Sequence, residues 1–515
     1  MKNIAATILI SAAFGIHLSA QQAGDLDLTF GGDGKVEYYT TNYNRGEGLA
    51  IQPDQKIVRA GTAPHNTLTT CVTLVRYLPD GTLDETFGVD GVAQGNVTVG
   101  ASTWSQNNTL ILQPDGKFLY TSSRMDNGSL GMFVSRFNSD GSVDTDFGDN
   151  GTAMVQMFNS GDDYSHSMTL QPDGKIIVVG QAQPYTGINY QMVAIRLMPS
   201  GGLDEFFAEG GKFIYNYASG DDRIMDVALQ SDGKIIFAAN ATHQGYGTMI
   251  VMRLTEAGIL DDTFATNGIF EYSTTSNVGH EYANAICIGA NDEIHVACQT
   301  YEVANGHSDL GVMKLTPDGA FDESFGEGGN LVLHLGDDWD FGDDILLDEQ
   351  ERILVSCTHY THDYFEGLVL RFLPDGELDS SFGDNGSASI GGDYIRAENI
   401  GLQADGNIVV GAWDRIIQTN SGYYQTARVL AEGTSNIEAN TTNPFALYPN
   451  PASHNLVIQT NNNAPISVEL FNAQGMLLEK IQNQRSIPVS HLPSGVYFLS
   501  IESVTDKRTL RFIKE

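Results

Sequence analysis

Acidic side chains recur beside glycine in this chain, as Gly161-Asp162-Asp163, Gly220-Asp221-Asp222, Gly336-Asp337-Asp338 and Gly392-Asp393. Gathered on one rim, such carboxylates would offer hard oxygen ligands to Ca²⁺ or a field that attracts cationic partners. Gly-Asp is equally a turn-forming pair, because Asp bonds to its own nearby backbone and Gly takes conformations other residues avoid. None of the four has the D-x-D-x-D-G spacing of a calcium loop, so solvated turns are the simpler reading and Ca²⁺ the one cofactor these residues suggest. A second cluster is His359-Tyr-Thr-His362-Asp363-Tyr364, with His307 at the corresponding place one segment earlier. Imidazoles beside a carboxylate could ligate a transition metal. No fixed third ligand accompanies them, so we assign no metal site and read a surface aromatic loop. No nucleophile elbow, zinc-protease helix or phosphate loop occurs in the chain, and no catalytic residue is assigned.

These residues sit on a repeat. The string Leu170-Gln-Pro-Asp-Gly-Lys-Ile-Ile-Val-Val-Gly180 returns in variant form from Ile51, Leu112, Leu229, Ile288, Leu347 and Leu402. A companion, Arg76-Tyr-Leu-Pro-Asp-Gly-Thr-Leu-Asp84-Glu-Thr-Phe87-Gly, recurs between these, with phenylalanines at 147, 207, 264, 325 and 382. The period is about 59 residues, in the range of propellers and solenoids. Each unit reads as four short strands rich in Val, Ile, Leu and Met, bounded by Gly, Pro, Asp or Asn; in the third unit they are Ala153–Phe158, Ser167–Gln171, Lys175–Gly180 and Met192–Leu197. Pro172-Asp173-Gly174 makes a hairpin turn, and Gln55, Asp292 and Glu351 replace its glycine elsewhere, which marks the turn as structural.

The chain ends choose between ring and open array. The seventh unit has Arg428-Val-Leu430 but lacks the string that should follow; that piece stands at the other end, as Leu26-Asp27-Leu28-Thr29-Phe30-Gly31. Complementary half-units are what a ring requires, and closure removes exposed strand edges. The expected fold is all-β: a seven-bladed propeller of four-stranded blades over 21–432, then a linker at 433–445 and a small β-sandwich over 446–515. The Asp recurring at 27, 84, 144, 204, 261, 322 and 379 is expected to cap a short turn by accepting backbone N–H groups. Loops on the face opposite the Pro-Asp-Gly hairpins vary between units, and variable loops on a rigid scaffold are where binding usually lives. The Gly-Asp-Asp strings, His359, His362 and Tyr364 fall on that face.

The formal charge of −37 belongs to the repeats, because 441–515 holds six basic against five acidic residues. Such a surface excludes nucleic acid as a partner. Residues 1–20 read as a cleavable signal peptide ending at Ala20: Lys2, an apolar run from Ile4 to Leu18, then Ser19-Ala20. No later run has the length of a transmembrane helix, so none is expected in the mature chain. Of the four cysteines, Cys298 and Cys357 occupy a repeat column that otherwise holds Gly, Ala or Ser, where cysteine serves as a small hydrophobe; Cys287 and Cys298 could still be near neighbours on one hairpin.

The two recurring strings resemble the delta-60 repeat family, over roughly 24–432; the resemblance implies a β-propeller and no particular reaction. After Leu430 the pattern stops. Tyr448-Pro449-Asn450-Pro451-Ala452, Leu470-Phe471-Asn472-Ala473-Gln474-Gly475, Leu492-Pro493-Ser494-Gly495-Val496-Tyr497-Phe498 and the terminal Phe512-Ile513-Lys514 resemble the type A C-terminal sorting domain of the type IX secretion system. That resemblance implies the secretion machinery as a partner and passage across the outer membrane of a Bacteroidetes-type bacterium, to the cell surface or beyond. The expected function is a binding or scaffold protein with an extracellular glycan or protein ligand. The alternatives are a polysaccharide hydrolase or lyase using carboxylates such as Asp337 or Asp393, and a structural coat component.

Overall fold

The computed structural model describes residues 21–515 apart from 39–44, 65–69, 100–109, 127, 186–187, 244–245, 274–279, 303–306, 337–338, 361–363, 392–393, 417–420, 434–444, 449–451, 461–464, 473–476, 483, 503–506 and 515. The signal segment with Ala20, the motif residues Pro449, Asn450, Pro451 and Gly475, and the candidates Asp337, Asp338, Asp393 and His362 lie outside the described residues. The chain divides into two compact units, Met1–Gly433 and Thr434–Glu515.

The first unit is a seven-bladed β-propeller: seven four-stranded antiparallel sheets, each ordered from an innermost to an outermost strand. Blade 3 runs Asp163–Leu170, Ile176–Ala182, Gln191–Leu197 and Lys212–Tyr215. Its first turn is the Pro-Asp-Gly hairpin, where Gly174 has φ +83° and the Asp173 carboxylate accepts the Lys175 N–H at 3.1 Å. Gln55, Asp292 and Glu351 hold the same left-handed conformation at φ +68°, +65° and +58°, which L-residues adopt at a cost. Two of the three use the side chain to reach another blade. The Gln55 Oε1 accepts the Ala404 N–H at 2.8 Å, and the Asp292 carboxylate accepts the N–H and hydroxyl of Ser231 at 2.7 and 2.6 Å.

The blade frame differs by one strand from the sequence grouping. The strand expected over Ala153–Phe158 to open the third unit spans Thr152–Val155, and it pairs with Ser129–Phe137 as the outermost strand of blade 2. The Leu-Asp-x-x-Phe-Gly connection explains the offset. Asp144 donates its N–H to Arg136 O, and Arg136 donates to Gly151 O, both at 3.0 Å, so the connection folds the chain straight back onto the third strand. By the same offset, blade 7 (Ile395–Leu402, Ile408–Ile416, Ser421–Val429) takes its outermost strand, Lys35–Tyr38, from the N-terminal half-unit, in the register Lys35↔Ala427 to Tyr38↔Tyr424.

Each of the seven blade junctions has its own apolar core. The core between blades 7 and 1, with Phe30, Ile57, Tyr77, Val409 and Tyr424, is the physical evidence of a closed ring. On the Pro-Asp-Gly face six of the seven junctions repeat one clamp. The arginine opening the companion string pairs through Nε with the repeat Asp: Arg76–Asp84 at 2.8 Å, Arg136–Asp144 at 2.6 Å, Arg196–Asp204 at 2.8 Å, Arg253–Asp261 at 2.9 Å, Arg371–Asp379 at 2.8 Å and Arg428–Asp27 at 2.8 Å. The guanidinium lies 4.3–4.8 Å over the repeat Phe ring, and all seven repeat phenylalanines are fully buried. Its Nη1 then donates to a carbonyl of the next blade, as in Arg253 to Pro317 at 2.7 Å and Arg76 to Ser139 at 2.8 Å. The other oxygen of the Asp caps the turn, as from Asp84 to Thr86 N at 3.1 Å. Burial works against ionisation of Asp84, but the N–H and hydroxyl of Thr86 and the Arg76 charge outweigh it and hold the carboxyl at about 2. Blade 5 has Lys314 with Asp322 at 3.2 Å, a contact without the fork.

The second unit packs a three-stranded sheet (Phe445–Tyr448, Asn455–Thr460, Ser486–Pro488) and a four-stranded one (Leu477–Gln482, Ser467–Asn472, Gly495–Glu502, Lys507–Lys514) around a core that includes Leu456, Val468, Leu470, Ile487 and Leu499. Pro493 and Gly495 flank the turn into the third of these longer strands, and Tyr497 returns its hydroxyl to the Pro493 carbonyl at 2.9 Å. Lys514 ends the last strand opposite Gly495. All four cysteines are free thiols: Cys298 faces Ala283 in the ladder and Cys287 faces His295.

Removing one partner of a buried pair strands the other charge, at about 3–5 kcal/mol. Arg253→Ala, with Asp261 left buried, is expected to lower the denaturant midpoint strongly. Arg253→Lys, which reproduces the blade-5 arrangement, should cost distinctly less; equal losses would count against the fork.

Candidate functional site

The Gly-Asp-Asp strings at 161–163 and 220–222 are joints of the variable face. Asp162 accepts the Leu130 N–H at 2.9 Å and Asp221 the Tyr190 N–H at 3.0 Å, each tying a loop to the preceding blade's outer hairpin. Asp163 and Asp222 are buried and cap the loop before their own strand, accepting Met157 N and Tyr217 N at 2.6 Å. Burial pushes the Asp163 carboxyl up to about 7 and raises that of Asp222. The glycine before each pair lies so close to another loop that a Cβ would strike a carbonyl, Gln183 O at Gly161 and Thr242 O at Gly220. Counting back from the strand-ending Leu347, the residue equivalent to Asp163 is Asp340, not Asp337 or Asp338. Asp340 accepts Leu335 N at 3.1 Å and holds the His359 Nδ1 at 2.5 Å. His359 belongs to the strand Ile353–Tyr360 rather than to a loop, because the hairpin is pinned by Tyr360 opposite Phe365, with ring centroids 4.8 Å apart. Tyr364 is exposed at its tip. Among the described residues no three His, Cys, Asp or Glu side chains are grouped to hold a metal ion.

The polar site lies deeper, on the axis. Six innermost strands carry a register shift at the same place, between Gly46/Gly48, Ser165/Ser167, Ile224/Asp226, Ala283/Ala285, Gly342/Asp344 and Ala397/Asn399. A bulge inserts one residue and re-aims side chains. Here the residues at and beside it line two axial cavities. The upper, of about 250 Å³, is walled by Arg223, Asp343, Arg396, Glu398, Asn240, Asn284 and Gln299, with Met225, Tyr282 and Phe341. The lower, of about 170 Å³, holds Ser167, Asp226, Asp344 and Asn399.

Some of these groups stitch the ring. Asp226 accepts its own following N–H, from Val227 at 2.8 Å, and that of Ile286 in the next blade at 2.9 Å. Asp344 does the same with Ile345 at 2.9 Å and Ile400 at 3.0 Å. Asn284 donates to Gly342 O at 3.0 Å, and Asn240 exchanges two bonds with Ala283. Burial pushes the Asp226 carboxyl up to about 6 despite these donors, and that of Asp344 up to about 7, helped by the charges of Asp226 and Asp343. Asp343 is likewise held at about 6 by burial, against Arg396 and the Thr358 hydroxyl at 2.6 Å. Burial lowers the His166 imidazole to about 4; it is neutral and its Nδ1–H donates to Ile224 O at 2.9 Å.

Aromatic residues rim the mouth. Two positions before each cavity-lining residue on the same strand face, Trp339 stacks on Phe341 at 6.3 Å and His280 on Tyr282 at 5.9 Å. Tyr164 meets Tyr190 edge-on at 5.8 Å. Tyr185, Tyr246, Trp339 and Tyr364 expose more than a third of their surface, all on the variable side. Reading loops for function passed over these inner strands. The available signal was charge inside apolar strands, as in Arg223-Ile-Met-Asp226-Val-Ala-Leu or Asp343-Asp344-Ile-Leu-Leu.

A propeller with an idiosyncratic axial well and a separate C-terminal β-unit is the class these features define. Residues 52–87, 113–147, 171–207, 230–264 and 292–325 match the repeat family described as "Domain of unknown function (DUF5122) beta-propeller". Residues 446–515 match the "Secretion system C-terminal sorting domain". The chain therefore carries repeats that match this β-propeller family and a type IX sorting domain, which sends it through the type IX machinery to the cell surface or extracellular space. No curated protein matches it by sequence. Similar solved structures include a polysaccharide lyase of the PL25 ulvan lyase family (10% identity, 78% of this chain and 98% of that one, TM-score 0.46). Another is the β-propeller domain of the trilobed protease from Pyrococcus furiosus (9% identity, 79% and 100%, TM-score 0.41). No helix among the described residues is long and apolar enough to cross a membrane.

Carboxyls raised in the folded state bind protons that the unfolded chain has released. Their stabilisation is present below about pH 4 and lost as pH rises through 6 to 7. Asp344→Asn should flatten the fall in thermal midpoint between pH 4.5 and 7.5; an unchanged slope would count against this assignment.

Proposed function

We propose that this protein is a glycan-binding propeller displayed or released outside the cell, with its ligand seated at the mouth of the axial well on the variable face. The observation that carries the reading is the pairing of stacked, partly exposed aromatics with a well of planar polar side chains. Sugars present C–H faces that lie on aromatic rings, and hydroxyls that both donate to carboxylates and accept from Asn, Gln and Arg. Cavities with a few convergent polar groups are the default binding sites of a fold. The other face offers the same clamp at nearly every junction and so no feature of its own. A protein ligand is the competing partner, and it would need a broader apolar contact than scattered single aromatics provide.

A second reading has one specific observation behind it. Asp343, with its carboxyl near 6, shares a cavity with Glu398 and Arg396, and a carboxyl so placed suits a general acid. Reducing-end release from any glycan that binds, abolished in Asp343→Asn, would favour a hydrolase or lyase over a binding protein.

The test of binding is an array of polysaccharides and oligosaccharides probed with the purified full chain, with and without Ca²⁺. At least one glycan should bind, and Trp339→Ala should weaken it roughly tenfold, the scale of one lost aromatic contact. A folded protein that binds none of them would refute the proposal. Deleting 446–515 should trap the propeller in the periplasm, as fractionation would show; unchanged export would contradict the sorting role of that unit.

A further inference from the structure

We infer that the axial well selects an acidic sugar, with Arg223 as the residue that receives its carboxylate or sulfate. The inference rests on the glycan reading of the mouth and adds the charge of the ligand. It comes from pairing the charges of the upper cavity.

Two cations and two anions line that space: Arg223, Arg396, Asp343 and Glu398. Asp343 lies 3.7 Å from the Arg396 guanidinium and accepts the Thr358 hydroxyl, so those two charges answer one another. Glu398 faces the fully buried Arg59, whose charge it supports across the junction of blades 7 and 1. Room for that guanidinium exists because residue 411 is glycine; a Cβ there would collide with it. Arg223 is left over. No carboxylate lies within 4.0 Å of it among the described residues, and its buried Nε has no hydrogen-bond partner there. The Tyr282 ring, 6.0 Å from the guanidinium carbon, and the neutral His166 are its neighbours, and neither answers a full positive charge. A buried donor without a partner is costly, and a guanidinium is shaped for carboxylate and for the oxygens of sulfate. At about 250 Å³ the space lies just below the usual range of ligand pockets, roughly 300–1,000 Å³, which suits one sugar residue. The ligand enters by a single acidic unit while the aromatic rim holds its neighbours.

Calorimetric titration of the full chain with two matched pairs tests this: a galacturonate hexamer and its carboxyl-reduced form, and a κ-carrageenan hexamer and its desulfated form. The acidic member of one pair should bind at least about tenfold more tightly than its neutral partner, and the pair that shows it distinguishes carboxylate from sulfate. Arg223→Gln should reduce that preference to below about threefold, and Arg223→Lys should keep part of it, both at an unchanged thermal midpoint. Neutral forms bound as well as acidic ones, or a preference that survives Arg223→Gln, would overturn the acidic-ligand inference and leave glycan binding standing. Binding of none of the four would count against both.

Discussion

The whole ring depends on a guanidinium placed where water has been excluded. In six junctions an arginine is stacked on a fully buried phenylalanine, paired with a buried aspartate and bonded to the next blade's backbone. Each contact makes sense only with the others. The ring removes water from one face of the cation, the carboxylate answers its charge, and the fork's remaining N–H groups reach the carbonyl that would otherwise face an apolar junction. Beside the clamp, the residue after each Phe donates its N–H to the turn of the next blade at 2.7–2.9 Å, in all seven blades. Blade packing is therefore directional as well as apolar, and this is what a circular array needs if seven similar units are to meet at one angle.

Closure uses the same parts. Arg428 and Asp27, 401 residues apart, make the clamp that neighbours make elsewhere over eight, and Gly383 N bonds to Ala23 O as Gly88 N bonds to Asp140 O. The last blade is thus completed by the first strand of the chain, so the loop-closure entropy of the whole propeller is met by one β-ladder, one ion pair and one apolar core. The junction of blades 7 and 1 departs from the rest in holding Arg59 and two buried tyrosines, Tyr77 and Tyr424. That departure leads onto the axis, because Arg59 is what Glu398 faces.

The scaffold was legible in the sequence because its physics is periodic. Seven turns, seven phenylalanines and a split unit at the ends define blade number and closure without reference to any one contact. The partner of the repeat Asp was less visible: the arginine eight residues upstream stood in the same string, but turn capping explained the carboxylate alone, and the structure shows that its two oxygens serve both. The Gly-Asp-Asp strings misled for the same reason. Asp163 and Asp222 look like free carboxylates in a variable loop, yet they are buried caps, and the strings at 161–163 and 336–338 are not equivalent positions. The axial residues were the least legible, since a bulge breaks the two-residue alternation from which facing is read.

That bulge joins scaffold to site. A regular innermost strand would send alternate side chains to the axis and the rest into the junctions. One extra residue at a common level lets adjacent residues such as Asp343 and Asp344 both reach axial space, one into the upper cavity and one into the lower. The backbone N–H groups beside the irregularity are then answered by Asp226 and Asp344 from within and from the preceding blade. The geometry is common to six innermost strands, and the residues it presents are not: His166, Met225, Asn284, Asp343 and Glu398 occupy one column in five of them. A repeat that needed only symmetry would hold one residue type there, as it does with Phe and Asp on the opposite face. Diversity at the level where the backbone is reshaped, set against uniformity on the clamp face, separates the parts of the ring that assemble it from the part we propose to hold a ligand.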